Sequence, residues 1–241
     1  MKDNLREIFL ENIDSTNLWA KTNIEELEDK TIVFAGAQTQ GRGRLQRKWV
    51  DLGKGNLFMS IVLKPDKNYE HYANLTQYLS VTLCKTLEEY GIKPEIKWPN
   101  DVLVNGKKIA GILAETSVKG TKFKGLVLGI GVNLNAQEKD FSKIDKKVTS
   151  LNLEVGETID MVEFKNKLVT SFFKDYNQFL EEGFKFIKRD YLALANFLDK
   201  ELCVALINET KTGVASGITY KGELILTNNG NEFILNIGDI L

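Results

Sequence analysis

Asn105-Gly106 stands between two β-rich arms, Glu95 to Val104 and Lys107 to Glu115. A two-residue Asn-Gly connection asks for positive φ at both positions and so specifies a type I′ hairpin. That turn puts antiparallel neighbours in the main body of the chain. A doubly wound sheet, whose parallel strands are joined by helices, is thereby disfavoured, and an α+β arrangement is expected. The surrounding segments agree. Thr31 to Ala37, Asn56 to Lys64 and Lys124 to Asn135 read as strands. Asp14-Ser15-Thr16-Asn17 reads as an N-cap before a short helix carrying Leu18, Trp19, Ile24 and Leu27. His71 to Tyr90 sets Tyr72, Leu75, Leu79, Leu83 and Leu87 at helical spacing, with Gly91 as a stop. After a polar loop over 136–150, Met161 to Leu180 repeats that pattern with Phe164, Leu168, Phe172 and Phe179, and Phe184 to Ala195 predicts a further short helix. From about Leu198 the texture changes to short strands, Leu202 to Ile207, Gly213 to Tyr220, Glu223 to Thr227 and Glu232 to Asn236, parted by Thr-Gly, Lys-Gly and Asn-Asn-Gly turns. Such a segment reads as a small β-barrel, too small to bury a large core by itself. The expected division is a mixed-sheet domain with flanking helices over 1–196 and the small barrel over 197–241.

Charge and composition remove several classes of function. The 241 residues carry 32 Lys+Arg against 33 Asp+Glu. A duplex-binding protein usually shows a basic excess, because neutralising phosphates supplies much of its affinity; none is present, so no DNA partner is expected. Cys84 and Cys203 match no metal or redox spacing and read as small buried hydrophobes. Met1 to Leu10 is charged and polar, unlike a signal peptide, and no apolar run approaches the roughly 20 residues that span a bilayer. The expectation is a cytoplasmic protein with no membrane partner. The single histidine, His71, has no Ser, Cys or Asp at a recognisable spacing. It reads as a cap or a surface residue.

Three segments carry chemistry, each with a plain alternative. Gln38 to Trp49 contains Gly41-Arg42-Gly43-Arg44. Glycines let backbone approach a ligand, arginines fork onto carboxylate or phosphate, and Trp49 offers a flat face; a solvated loop would read the same. It is no P-loop, since no Gly-Lys-Ser/Thr follows, and no dinucleotide fingerprint, since Gln46 stands at the third glycine position. In the second, Lys97-Trp98-Pro99-Asn100-Asp101 runs toward Lys107-Lys108-Ile109-Ala110-Gly111. Pro99 marks a strand end or irregularity. A lysine on the second arm could reach a cleft, or simply be solvated. The third, Gly125 to Asn135, has Gly129 and Gly131 after a strand with no helix following, so it is either a strand beside a ligand or a buried strand with a bulge.

The ordered set DSTN, GRGR…W, KWPND, KKIAGILAE and GIGVN resembles the biotin protein ligase family, in order and spacing, from about residue 8 to residue 135, and the terminal strands are similar to that family's small SH3-like domain. The resemblance implies a biotin–[acetyl-CoA-carboxylase] ligase that uses biotin and ATP, with Mg²⁺ on the nucleotide. It makes biotinyl-5′-AMP and passes biotin to a lysine of a carboxylase's biotin carboxyl carrier domain. It assigns Ser15, Thr16, Asn17, Gln38, Gly41, Arg42, Gly43, Arg44 and Lys108 to biotin. Arg44, Trp49, Asn100, Lys108, Gly129, Gly131 and Asn133 are assigned to ATP and the adenylate, and Lys108 and Arg42 to the chemistry; Asp101 is a candidate catalytic residue that deprotonates or orients the incoming lysine, or else a structural acid beside Lys97. No metal ligand is assigned. The implied glycine–arginine loop orders over the intermediate and shields it from water. Gln46 replaces a usual glycine, which implies a loop that is stiffer or closes differently, and no counterpart is found for a basic nucleotide contact near the C-terminus. The first motif begins at Asp14, which implies a form without the N-terminal DNA-binding domain and without a repressor role. Edge strands could pair two copies into a homodimer. The rivals are a lipoate or octanoate ligase on the same scaffold and a non-catalytic binding module.

Overall fold

The first strands, β1 (Glu7–Ile13) and β2 (Ile32–Gln38), are parallel neighbours in register from Glu7 with Ile32 to Ile13 with Gln38. A parallel pair needs a crossover, and α1 (Thr16–Thr22) supplies it. Ser15, in extended conformation, caps α1 by accepting from the Leu18 N–H at 3.4 Å. The helix ends at Asn23, whose side-chain amide donates to the Trp19 carbonyl at 2.8 Å. One face of this crossover joins the sheet in a core of Ala20, Ile24, Leu27, Val33, Val62 and Val127, with Ile8, Leu10 and Trp19 packed against it.

The structure, a computed structural model, describes residues 5–44, 47–65 and 69–241. Gln46, where a stiffer or differently closing loop was expected, lies outside the described residues. The chain forms two compact units, 1–69 with 107–167, and 70–106 with 168–241. In the first, β3 (Leu57–Leu63), β6 (Lys107–Lys119) and β7 (Lys122–Val132) continue the sheet in the order β1-β2-β3-β7-β6. Every pair after the first is antiparallel, so the sheet is mixed, as the Asn-Gly hairpin predicted. All seven residues of β3 are buried, the mark of a central strand covered on both faces. Beyond β7 the chain forms a short helix α3 (Leu151–Val155) and enters α4 (Met161–Lys174). There Lys165, 1 % exposed, meets the Glu7 carboxylate and lies 4.4 Å from the Phe34 ring centroid.

The second unit holds α2 (Leu75–Glu88), β4 (Pro94–Lys97), β5 (Asp101–Val104), α5 (Tyr176–Glu182) and α6 (Phe184–Leu194). Residues 95–104 are not one strand. β4 and β5 fold onto each other, Lys97 opposite Asp101, around a cis Trp98–Pro99 bond. Pro99 offers no N–H to a ladder, and the arm breaks there. Trp98 is buried, and its indole N–H donates to the Gly222 carbonyl at 3.3 Å. Gln77 donates to the same carbonyl and Asn74 to that of Lys221, both at 2.8 Å. The predicted helix from His71 starts only at Leu75, after a 3-10 turn over Tyr69–Asn74. His71 is half-buried and caps another helix, not its own: its Nδ1 lies 2.8 Å from the Leu180 carbonyl in the last turn of α5, and its ring covers Gly183, where a Cβ would stand 2.6 Å from the imidazole. The helix predicted through Leu180 splits at Asp175, which leaves helical geometry at φ −115° and ψ 7°. Asn105 and Gly106 take φ of 51° and 71°, as a type I′ turn requires. Burial pushes the Cys84 thiol well up from its ordinary value, in keeping with a small hydrophobe.

The last five strands, β8 (Glu201–Ala205), β9 (Thr210–Ile218), β10 (Leu224–Asn228), β11 (Asn231–Leu235) and β12 (Asp239–Ile240), form an antiparallel sheet ordered β11-β10-β9-β8-β12. The two-residue β12 has no signal in the sequence. Among the described residues no helix is long and apolar enough to cross a membrane.

Two stability predictions follow from these contacts. Glu7→Ala strips the anion from a buried ammonium and should lower unfolding free energy by about 2–3 kcal/mol, whereas Lys165→Met should cost far less; equal losses in urea titrations would contradict this. Glu25 accepts from Lys124 and Lys119, which lower its pKa to about 2. A carboxyl depressed in this way contributes stability above its unfolded value, and that contribution is lost as pH falls toward 2. The melting-temperature gap between the parent and Glu25→Gln should therefore be constant above about pH 5 and close in acid.

Candidate active site

Ser60 and Leu113 flank Gly129 across the sheet, and Phe58 and Gly111 flank Gly131. Paired residues project from the same face, so Gly111, Gly129 and Gly131 leave a bare patch on it. Two side chains use that patch. Asn17 of α1 lies over Gly129, where a Cβ would stand 2.0 Å from its Oδ1. The Trp49 ring lies over Gly131 and Gly111, where Cβ atoms would come within 2.5 and 2.8 Å of ring carbons.

A continuous polar chain runs along this face. The Gln38 side-chain oxygen accepts from the Thr16 N–H at 2.8 Å and from its hydroxyl at 3.1 Å. The Ser60 hydroxyl lies 2.8 Å from Thr16 Oγ1 and 2.7 Å from Asn17 Oδ1. Asn17 then donates to the Leu113 carbonyl at 3.3 Å and to Glu115 Oε2 at 3.2 Å. Glu115 Oε1 faces Arg42 Nη1 at 3.3 Å and Lys21 Nζ at 3.5 Å. Ser15, Thr16, Asn17, Gln38 and Ser60 are all buried, so these partners offset the cost of taking polar groups out of water. With its oxygen taken by Thr16, Gln38 turns its NH₂ toward Gly41, 3.2 Å from where a Cβ would sit.

The glycine–arginine segment folds back on itself. The Trp49 N–H donates to the Gly41 carbonyl at 2.9 Å, Gly43 donates to Arg47 at 2.8 Å, Arg47 donates to Arg44 at 3.0 Å, and Arg42 bridges Lys48. A side chain at Gly41 would strike the Trp49 carbonyl at 2.4 Å. The turn thus delivers Trp49 to the bare patch, and its indole N–H is buried there without a hydrogen-bond partner among the described residues. Lys108 completes the cluster. Its backbone is held on both sides, donating to Lys147 at 2.9 Å and accepting from Thr149 at 3.0 Å, and its ammonium lies 5.4 Å from the Trp49 ring centroid.

The first unit therefore brings together Ser15, Thr16, Asn17, Gln38, Gly41, Arg42, Gly43, Arg44, Trp49, Lys108, Gly129 and Gly131. Asn133 is buried nearby on β7's continuation, with its amide donating to the Thr149 carbonyl at 3.0 Å, so it holds the segment that clamps Lys108. Asn100, buried, and Asp101, which opens β5, belong to the second unit. Three residues of the cluster escaped the sequence reading. Ser60 had a signal, a lone polar residue inside the apolar run Leu57–Leu63. Asp51 had none; its carboxylate accepts from the Gln38 and Gly53 N–H groups at 2.9 and 2.8 Å. Glu115 ends the KKIAGILAE motif, and its role appears only when α1 and the arginine turn are seen against it. Among the described residues no group of three or more His, Cys, Asp or Glu is arranged to hold a metal ion.

Residues 9–133 match the Biotin/lipoate A/B protein ligase family, and the chain belongs to that family. It is 32 % identical over 233 residues to the biotin–[acetyl-CoA-carboxylase] ligase of Paracoccus denitrificans, covering 94 % of this chain and 96 % of that protein. With the bifunctional ligase/repressor BirA of Bacillus subtilis it shares 36 % identity over 201 residues, which is 83 % of this chain and 62 % of that protein. The chain thus spans about three fifths of that relative's length. The biotin protein ligase from Aquifex aeolicus in complex with biotin and ATP superposes with a TM-score of 0.86 at 30 % identity, over 98 % of this chain and 97 % of that one.

Gly129→Ala drives a methyl into Asn17 and should break the polar chain at its centre. The expected loss is about 3 kcal/mol of stability, as for an overpacked site that also forfeits buried hydrogen bonds. Gly53→Ala, at a positive φ but with open space around the missing Cβ, should cost about 1 kcal/mol. Chemical denaturation of both variants compares them directly, and equal costs would refute the close-approach argument.

Proposed function

We propose that the chain is a biotin protein ligase. The observation that carries this reading is the single face on which an uncharged hydrogen-bonding set, Thr16 and Gln38, meets a cationic pair, Arg42 and Lys108, across glycines on which Asn17 and Trp49 rest. A neutral ureido ring with a carboxylate tail needs those two chemistries side by side. The Gln38 NH₂ suits a ureido oxygen, Ser15, Thr16 and Asn17 line that end, and Gly41, Gly43 and Arg44 approach the tail. Trp49 serves the nucleotide base. Asn100, Gly129, Gly131 and Asn133 serve the rest of the adenylate.

In the first step a biotin carboxylate oxygen attacks the α-phosphorus of ATP. The bond to the β-phosphate oxygen breaks, and pyrophosphate leaves with that electron pair. Negative charge gathers on the phosphoryl oxygens, where Lys108 and Arg42 stabilise it. Mg²⁺ would accompany ATP as part of the substrate and would share that charge beside Lys108 and Arg42. In the second step the ε-amine of a carrier-domain lysine attacks the carbonyl of the mixed anhydride, AMP leaves, and the amine gives up a proton, with Asp101 as the proposed acceptor. No enzyme nucleophile is needed, because the adenylate is already activated. The glycine–arginine turn covers that intermediate against water. The partner is the carrier domain of a biotin-dependent carboxylase, and the compartment is the cytoplasm. The functional division we propose is 1–196 for biotin and ATP and 197–241 for the small C-terminal domain.

The test is pyrophosphate release from MgATP with biotin, or with lipoate in parallel, with a biotin carrier domain in half of the reactions. Biotin should be required, the carrier should gain one biotinyl mass, and Lys108→Ala should cut the rate by roughly 10²- to 10³-fold. Turnover with lipoate alone would transfer the protein to the other acid, and no turnover with either by folded protein would refute the reading.

A further inference from the structure

Glu115 is the point at which three elements of the first unit meet. From β6 its two oxygens divide their partners: Oε2 takes the Asn17 amide at 3.2 Å, while Oε1 faces Arg42 Nη1 at 3.3 Å and Lys21 Nζ at 3.5 Å. Its side chain is 17 % exposed, against 45 % for Arg42 and 38 % for Lys21. A carboxylate that deep is held, whereas the cations around it are half in water. Its contact with Arg42 is a single long one and not the forked pair that a guanidinium makes with its best anions. Such a contact places the guanidinium without binding it tightly, and it can be exchanged when a substrate anion arrives.

We propose that Glu115 is a positioning residue of the ligase site: it holds the Arg42 guanidinium against β6 and yields it to the incoming carboxylate or phosphate. The proposal rests on the ligase reading, and it adds a residue to which the motif reading gave no part. Glu115 also carries the only negative charge of the trio. Taking that charge away should strengthen binding of any small anion while misplacing the arginine that must meet the developing charge. A residue that merely supports the fold would weaken binding and turnover together, so the two effects have opposite signs only if Glu115 acts as proposed.

The probe is inorganic pyrophosphate, titrated calorimetrically into the full chain, alongside the rate of biotin-dependent exchange of pyrophosphate into ATP. Glu115→Gln keeps an oxygen for Asn17 and removes the charge. It should bind pyrophosphate about three- to tenfold more tightly, while the exchange kcat falls roughly tenfold. Glu115→Asp, which keeps the charge, should recover much of the kcat and bind pyrophosphate as the parent does. In an Arg42→Gln background, Glu115→Gln should lower kcat no further, since its effect runs through that arginine. Weaker or unchanged pyrophosphate binding in Glu115→Gln, or a full tenfold loss on top of Arg42→Gln, would overturn the proposal. If Glu115→Gln does not fold, Glu115→Asp decides, and a variant with the kcat of the parent but weakened pyrophosphate binding would count against it. Absence of exchange in the parent would instead strike the ligase reading, and the pyrophosphate titration would still judge the placement of Arg42.

Discussion

Asn17 reaches the middle of the sheet because Gly129 has no Cβ. With its Oδ1 where a methyl would otherwise stand, the amide can accept from Ser60 on one side and donate toward β6 on the other. The approach organises more than one pair. It sets the depth at which α1 rests on the sheet, hence the position of Thr16 against Gln38, and through Glu115 it reaches the arginine turn. The same logic governs the neighbouring column, where Gly131 and Gly111 receive the Trp49 ring. A small-molecule site is usually a concavity lined by side chains. Here two side chains, Asn17 and Trp49, lie directly on glycine backbone, and selectivity is left to them and to the residues at their margins.

Those margins are chemically unequal. One is neutral and buried, built of hydroxyls and amides whose lone pairs and protons are matched to one another. The other is cationic and half in water, with Arg42 beside Glu115 and Lys108 against Trp49. A ligand that is polar but uncharged at one end and anionic at the other fits that gradient, and a uniformly charged ligand would waste half of it. On the proposed reading the inequality also accounts for a cluster built without histidine or cysteine among the described residues: orienting two substrates and steadying charge as it forms is work that fixed donors and cations do without a covalent intermediate.

How much of this was legible depends on the range over which each feature is determined. The Asn105-Gly106 turn, the Ser15 cap and the strand runs are local, and local chemistry was enough to place them. The sequence arm ending in Val104 broke at Pro99 because a missing N–H is also a local fact, although its consequence, two strands folded on each other, is not. The helix ending at Lys174 was overextended, since the apolar spacing runs through Asp175 while the backbone does not. Thr16, Gln38, Arg42 and Lys108 could be picked out as motif members. Their connection could not, because it passes through Ser60 and Glu115, more than 40 residues away from the first motif, and through Asp51, which looks like any loop acid. His71 was readable as a cap, but not the helix that it caps, for the same reason: the carbonyl beside it, that of Leu180, lies 109 positions along the chain.

The lock on Trp98 has a consequence for how such a chain can change over generations. The indole, Gln77 and Asn74 all hold carbonyls of the Lys221-Gly222 turn, so what they read is the path of the main chain and not the identity of a side chain. Lys221 is therefore open to drift. Gly222 is not, since its φ of 80° and the nearness of Asn74 and Gln77, 2.5 Å from a would-be Cβ, both exclude a side chain. The terminal sheet, for all its separate hydrogen-bond ladder, is thus no exchangeable module. A transplanted sheet would have to bring a turn of the same path, or leave a buried tryptophan N–H with nothing to hold.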